Sequence, residues 1–216
     1  MKKGRVLLVS PNMRGLDDGV NRIQPSLGLM LIASMLINDG HKVKIHDSAL
    51  EGWDNRKLID PIKRKLIIGQ TDEEIQKVIS DFSPDVVAVT ILFSNFLAAA
   101  HSVARITKKV NKNIKVILGG NHISNAVIDY GFASDKKSNL PNNLVDLEDE
   151  NVDFAMTGEG EVPMVKLVNA IVNNEDYSKV PGLVKKITDK KYLINRKNEK
   201  HDMNLLPRPA RHLVNM

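Results

Sequence analysis

The stretch "SLGLMLIASMLINDGHKVKIH", Ser26–His46, decides the fold. Ser26–Asn38 reads as a helix that is apolar on nearly all sides. Gly40 is a C-cap signal that stops it, and Lys42–His46 then reads as a strand. Upstream, Arg5–Val9 (RVLLV) reads as a buried strand. Downstream the alternation repeats. Thr71-Asp72-Glu73-Glu74 is a capping box that opens a helix through Ile75, Val78 and Ile79. Pro84-Asp85 leads into a strand at Val86–Thr90, and a helix covers roughly residues 95–110. Ile114–Leu118 is a strand ending in Gly119-Gly120, Asp153–Met156 is another, and a last helix runs to about Val172. Strands alternating with helices predict an α/β fold: a doubly wound, parallel, five-stranded sheet in the order 2-1-3-4-5.

Two parts break the rhythm. Residues 131–143 (GFASDKKSNLPNN) read as a polar surface insertion. After Pro181-Gly182, "LVKKI", a "TDKK" turn and "YLIN" predict a β-hairpin, followed by the proline-punctuated, extended "LLPRPARHLVNM". The expected organisation is a domain over residues 1–180 and a hairpin with linker over 181–216. Nothing in the chain is obviously assigned to cover Leu205, Leu206, Leu213 and Val214.

Composition narrows the function. The 216 residues include no cysteine, which removes disulfides, thiolate zinc sites, cysteine nucleophiles and any iron–sulfur cluster held by this chain. A cytoplasmic setting is the default, and neither a membrane span nor a signal-peptide pattern is read. The net charge is +5. From Lys185 onward nine Lys/Arg face three Asp/Glu, so the excess sits in the C-terminal segment. Without aromatic interleaving for base stacking, that segment predicts a solvated or interface-forming hairpin and no nucleic-acid partner.

An open sheet of this kind binds ligands beyond the carboxyl ends of its strands. Those places hold Ser10-Pro11-Asn12 with the loop to Gln24, then Thr90 with Leu92, Ser94 and Asn95, then Gly119-Gly120-Asn121-His122, and finally Gly158-Glu159-Gly160. Glycines let backbone approach a ligand closely. No strand end carries a serine-elbow, P-loop or Gly-x-Gly-x-x-Gly pattern. Thr157-Gly158-Glu159-Gly160-Glu161 raises three possibilities: a carboxylate pair, a phosphate cradle or a capped helix. Carboxylates at a helix start are stabilised by the dipole by ~0.3–1 kcal/mol each, and two this close are no obvious acid/base couple. The turn is expected to cap the last helix and to line a pocket with backbone.

"IQPSLGLMLIASMLINDGHKVKIHD", "DVVAVTIL", "KVILGGNHIS" and "VDFAMTGEGE" come in an order and spacing that resembles the cobalamin-binding domain of cobalamin-dependent radical S-adenosylmethionine enzymes. "VPGLV" and "LLPRPARHLV" resemble the connector before the radical barrel of that family. The resemblance implies a flavodoxin-like fold, with cobalamin over the strand ends and its nucleotide tail reaching into the sheet. It implies a radical barrel in cis or in trans, where the 4Fe-4S cluster, S-adenosylmethionine and a small-molecule or peptide substrate would be handled. Methyl transfer or related radical chemistry would take place there, and this chain alone would not be catalytic.

The match has departures. Cobalamin domains carry an Asp-x-His-x-x-Gly whose histidine ligates cobalt. With its glycine aligned on Gly28, Pro25 stands at the histidine position and Ile23 at the aspartate, so no protein ligand to cobalt is expected. The family's Ser-x-Leu appears as Thr90-x-Leu92, and its paired glycines as Gly119-Gly120. Thr90 could equally cap the chain reversal before the next helix. His122 could reach cobalt, but a donor to a corrin amide or a plain surface histidine is the expectation. His46 and His101 read as structural histidines and Trp53 as a packing residue. A response-regulator receiver is set aside, because Thr90 and Thr157-Gly158 occupy its aspartate and lysine positions. The alternative kept is a flavodoxin-like nucleotide-binding or interaction domain that binds no corrinoid.

Overall fold

The computed structural model describes residues 1–136, 144–188, 191–195 and 202–214. In chain order, β1 (Arg5–Ser10) is followed by a short β2 (Met13–Leu16). Helix α1 (Leu27–Asn38) starts at Ser26, whose hydroxyl accepts from the Leu29 amide, and stops before Gly40, which takes φ +91°. Then come β3 (Lys42–Asp47), the one-turn α2 (Ser48–Glu51), and β4 (Arg56–Asp60) with β5 (Lys65–Ile68). Helix α3 (Asp72–Phe82) opens with the capping box read from the sequence, with Thr71 and Glu74 bonding reciprocally. β6 (Val86–Thr90) leads through a 3₁₀ turn at Ser94–Phe96 into α4 (Leu97–Val110), and β7 (Lys115–Gly119) leads directly into α5 (Asn121–Lys136). β8 (Phe154–Met156), α6 (Glu161–Asn173), β9 (Leu183–Thr188) and β10 (Lys191–Ile194) complete the order.

The main sheet has the order β10-β9-β8-β7-β6-β1-β3. Strands β3, β1, β6, β7 and β8 are parallel, which is the expected 2-1-3-4-5 order. The core strands are continuous aliphatic runs because both faces are covered: Val6, Leu7, Leu8 and Val9 are all fully buried. One face packs on α3, α4 and α5 through Ile75, Ile79, Val103 and Ile106. The other packs on α1 and α6 through Met30, Leu36, Leu167 and Val168.

Three features differ from the sequence reading. The hairpin does not stand apart: β9 pairs antiparallel with β8, Ala155 opposite Val184 and Met156 opposite Leu183, so the sheet has seven strands. Leu183 and Val184 are both fully buried and enter the cores on opposite faces of the sheet. A second, antiparallel sheet, β2-β5-β4, occupies stretches to which the sequence reading assigned no strand. The expected insertion at 131–143 begins inside α5, which runs to Lys136; positions 137–143 lie outside the described residues.

The C-terminal segment finds cover on its own chain. The Ala210 amide donates to Met30 O (3.0 Å), and the Ser34 hydroxyl donates to Arg208 O (2.7 Å). Ala210 is buried, and Leu213 and Val214 pack on the α1/α6 core. Only the upstream end matches the expectation of uncovered leucines, since Leu205 is 81% exposed. The prolines explain the geometry: they bias the segment to extended backbone, which lets it run along α1.

Candidate functional site

A cavity of about 480 Å³ opens at the carboxyl ends of β1 and β6. The parallel sheet puts it there, because both strands end at the same level and their chains diverge into α1 and α4. Ser10, Pro11, Gln24, Pro25 and Gly28 form one side, and Thr90 and Leu92 form the other. All were chosen from the sequence. Phe93 and Phe96, a tilted pair 5.9 Å apart, add an aromatic rim that sequence reasoning passed over. Thr90 lines the cavity, and neither the 3₁₀ turn (N-cap Phe93) nor α4 (N-cap Phe96) is capped by a side chain.

Beneath the cavity lies a buried acid. Asp47 caps α2 by accepting from the Leu50 amide (3.0 Å). Burial pushes its carboxyl above the usual range, against the Leu50 amide and the Ser10 hydroxyl, which pull it down. Asn12, also chosen from the sequence, points elsewhere: its amide donates to Gln70 O (2.7 Å), and it lines a separate cleft beside β5.

The glycine pair sits at the end of β7. Ile91 is held on both sides of it, its amide donating to Gly119 O (2.7 Å) and its carbonyl accepting from the His122 amide (3.1 Å). Gly120 has φ +100°, and a Cβ there would lie 2.8 Å from Ile91 O. Gly119 is unlike it: a Cβ would meet only Met156 O, at 3.6 Å. Ser124 links this turn to the next strand end, donating to Gly120 O (3.2 Å) and accepting from the Gly158 amide (3.0 Å). Asn121 and Glu159 are exposed. The expected cap at α6 is not a side-chain cap: Gly160 is the N-cap, with no side-chain hydrogen bond.

His122 is neither a free surface group nor an open ligand. Its Nδ1 lies 2.9 Å from Ser94 Oγ, and its Nε2 lies 3.1 Å from Asp146 Oδ2. Asp146 continues to His101, whose Nε2 is 3.1 Å from Asp146 Oδ1 and whose Nδ1 is 2.6 Å from Asp149 Oδ2. The result is a relay, Ser94–His122–Asp146–His101–Asp149, that ties the end of β6 to α5, α4 and residues 146–149. The Asp146 hydrogen bond, and less strongly that of Asp149, holds His101 above the usual imidazole range against the opposing effect of burial. Burial alone would raise Asp146 and Asp149. The histidine bonds at Asp146, and the Asn151 amide with His101 at Asp149, hold both below the usual carboxylate range. His46, fully buried with Nδ1 3.0 Å from Glu51, is the structural histidine the sequence suggested.

The relay has a pH signature. A raised histidine stabilises the fold below its unfolded value of about 6.5 and loses that contribution as pH rises through the folded value. The lowered carboxylates contribute above about 3.9 and lose it as pH falls through their folded values. His41 acts in the opposite sense: burial holds it low, so it costs stability below about 6.5. The relay's share is therefore a difference. Between pH 6 and pH 9 the wild type is expected to lose Tm relative to His101→Asn. Parallel melting curves for the two proteins would show that His101 does not titrate as described.

Comparisons with known proteins give a family-model match, a curated relative and solved structures of similar fold. A model of the B12 binding domain matches residues 18–130, more than half of the chain. The cytidylyl-2-hydroxyethylphosphonate methyltransferase of Streptomyces wedmorensis is 28% identical over 190 residues, covering 88% of this chain and 33% of that protein. Among solved structures, the radical S-adenosylmethionine methyltransferase TsrM from Kitasatospora setae, with cobalamin and a [4Fe-4S] cluster bound, superposes with a TM-score of 0.57. The identity is 16%, over 96% of this chain and 31% of that one. The cobalamin-dependent S-adenosylmethionine radical enzyme OxsB, with aqua-cobalamin and S-adenosylmethionine bound, gives 0.62 at 15% identity, over 97% of this chain and 24% of that one. At these identities the structures show a common fold. This chain spans a third or less of each of these proteins. Among the described residues, no helix is long and apolar enough to cross a membrane.

Proposed function

Because the chain belongs to the B12-binding domain family, we propose that it seats one cobalamin over the carboxyl ends of β1, β6, β7 and β8, as part of a radical S-adenosylmethionine enzyme of methyltransferase type. The observation that carries this reading is the coincidence of the cavity with open glycine positions in the first turn of α1 and at the end of β7. A Cβ built on Gly28 would meet nothing within 4 Å, and one on Gly119 only a carbonyl oxygen. The residues present thus leave room for a large, flat ligand with an extended tail. Ser10, Thr90 and Gln24 offer polar contacts, and Leu92, Phe93 and Phe96 offer apolar ones. Gly119-Gly120 and the Gly158–Gly160 turn would border the nucleotide tail.

When bound, cobalamin would supply a cobalt centre able to carry a methyl group or an electron, while this chain supplies position and shielding. Pro25 lines the cavity where the family's ligating histidine would stand, and both ring nitrogens of His122 are engaged. No histidine of the site is therefore offered to cobalt. With no cysteine in the sequence, the iron–sulfur cluster and S-adenosylmethionine belong to a barrel in cis or in trans, where substrate is turned over.

The test is reconstitution with hydroxocobalamin, followed by reduction and electron paramagnetic resonance. The expected result is one corrinoid per chain in the base-off form, with no nitrogen superhyperfine splitting. Absence of corrinoid uptake would favour a nucleotide-binding or interaction domain. Triplet splitting would put a nitrogen on cobalt, either the cofactor's own base or a histidine, and its persistence or loss in His122→Ala would tell the two apart.

A further inference from the structure

We propose that the relay behind Ser94 fixes its hydroxyl as a hydrogen-bond acceptor toward the ligand, so that Ser94 selects a carboxamide N–H on the rim of the corrin; this rests on the cobalamin reading above. Ser94 is exposed and opens the 3₁₀ turn that follows β6, between the cavity wall at Leu92–Phe93 and the glycine turn that precedes His122. It is placed to meet a ligand that covers both.

Its orientation follows from proton counting along the relay. Asp146 is buried, with a side chain 5% exposed, and its carboxyl is held in the ionised form, so both of its oxygens only accept. One oxygen faces His101 Nε2. His122 must then donate to the other from Nε2, which fixes the tautomer of the neutral ring and leaves Nδ1 as an acceptor. The only hydrogen available to Nδ1 at 2.9 Å is the one on Ser94 Oγ. Ser94 therefore gives its proton inward and presents only lone pairs outward. An isolated serine rotates its hydroxyl to suit either partner; this one cannot do so without breaking the bond to His122. A rim group that carries N–H fits it, and a carboxylate in the same place meets lone pair against lone pair.

The test uses cobalamin and the series of its peripheral monocarboxylic acids, in which one rim amide at a time is hydrolysed, with binding followed at about pH 7.5. Wild type is expected to bind one member of the series about 10-fold more weakly than cobalamin, as for one lost hydrogen bond with an opposed acceptor. Ser94→Ala should bind cobalamin about 5–10-fold more weakly and should no longer discriminate against that member. Ser94→Thr keeps the hydroxyl and should keep the discrimination. Asp146→Asn frees the tautomer of His122 and should lose the discrimination while retaining the hydroxyl. A merely structural Ser94 would weaken all corrinoids alike or none, and either pattern overturns the proposal. Wild type that takes up no cobalamin would overturn the cobalamin reading itself; wild type that binds cobalamin but is matched by Ser94→Ala overturns the acceptor alone.

Discussion

Replacing Gly120 by Val is expected to cost the protein both its fold stability and its ligand, whereas Gly119→Val costs the ligand only. Gly120 sits at φ +100°, where a branched side chain is strained, and its Cβ would lie 2.8 Å from the Ile91 carbonyl oxygen. That oxygen cannot retreat, because it accepts from the His122 amide. The strain and the broken turn together amount to roughly 2–4 kcal/mol, seen as a fall in Tm of roughly 5–15 °C. At Gly119 the space within the chain is ordinary, and Val suits the end of a strand. Melting of Gly119→Val should stay close to wild type while cobalamin retention falls by more than about tenfold, or 1.4 kcal/mol. Normal binding by Gly119→Val would mean that the pair is only a turn and that the nucleotide tail lies elsewhere.

Truncation at residue 180 is the second large effect. Removing the hairpin deletes Leu183 and Val184, each fully buried and each worth about 1.5–3 kcal/mol of burial. It also strips β8 of its antiparallel partner β9 and leaves a three-residue strand at the sheet edge. A chain of residues 1–180 should show no cooperative melting transition. A chain ending at Asn195 should retain one, because Asn195 closes the hairpin base with bonds to Ser178 O (2.6 Å) and Val180 O (2.8 Å). Among the described residues it would lose the hydrogen bonds of Arg208 and Ala210 to α1 and the packing of Leu213 and Val214 on the α1/α6 core. If 1–180 melts as sharply as the longer chain, the hairpin is an appendage, and the boundary suggested by the sequence at 180 stands.

What could be read beforehand depended on how each element advertises itself. The parallel strands are fully buried aliphatic runs, and α3 carries its capping box in plain sequence, so their order could be argued from residues alone. Helix α5 begins "NHISNAVIDYGF", where Asn, Ser and Gly dilute any helical period, and only packing on β7 and β8 makes it a helix. The sheet of β2, β5 and β4 was hidden because β4 is exposed along nearly its whole length, so no alternation of apolar and polar residues marks it. The strand-end residues were found because a parallel sheet fixes where they meet. The relay was not, because His101 and His122 meet Asp146 across 45 and 24 residues. Asp146 and Asp149 lie in "DLEDE", which by composition alone reads as solvated charge.

The strand order also bears on how the molecule is assembled. Once β6 has joined β1 across 80 residues of chain, Val6 beside Val86, every later strand of the main sheet is laid down on the same growing edge: β7 on β6, β8 on β7, β9 on β8, β10 on β9. The slow event is that first long closure, since loop entropy is lost before the pairing returns it. After it, the sheet can extend in the order in which a ribosome delivers the strands, and the edge it leaves open at each stage is the one the next segment fills.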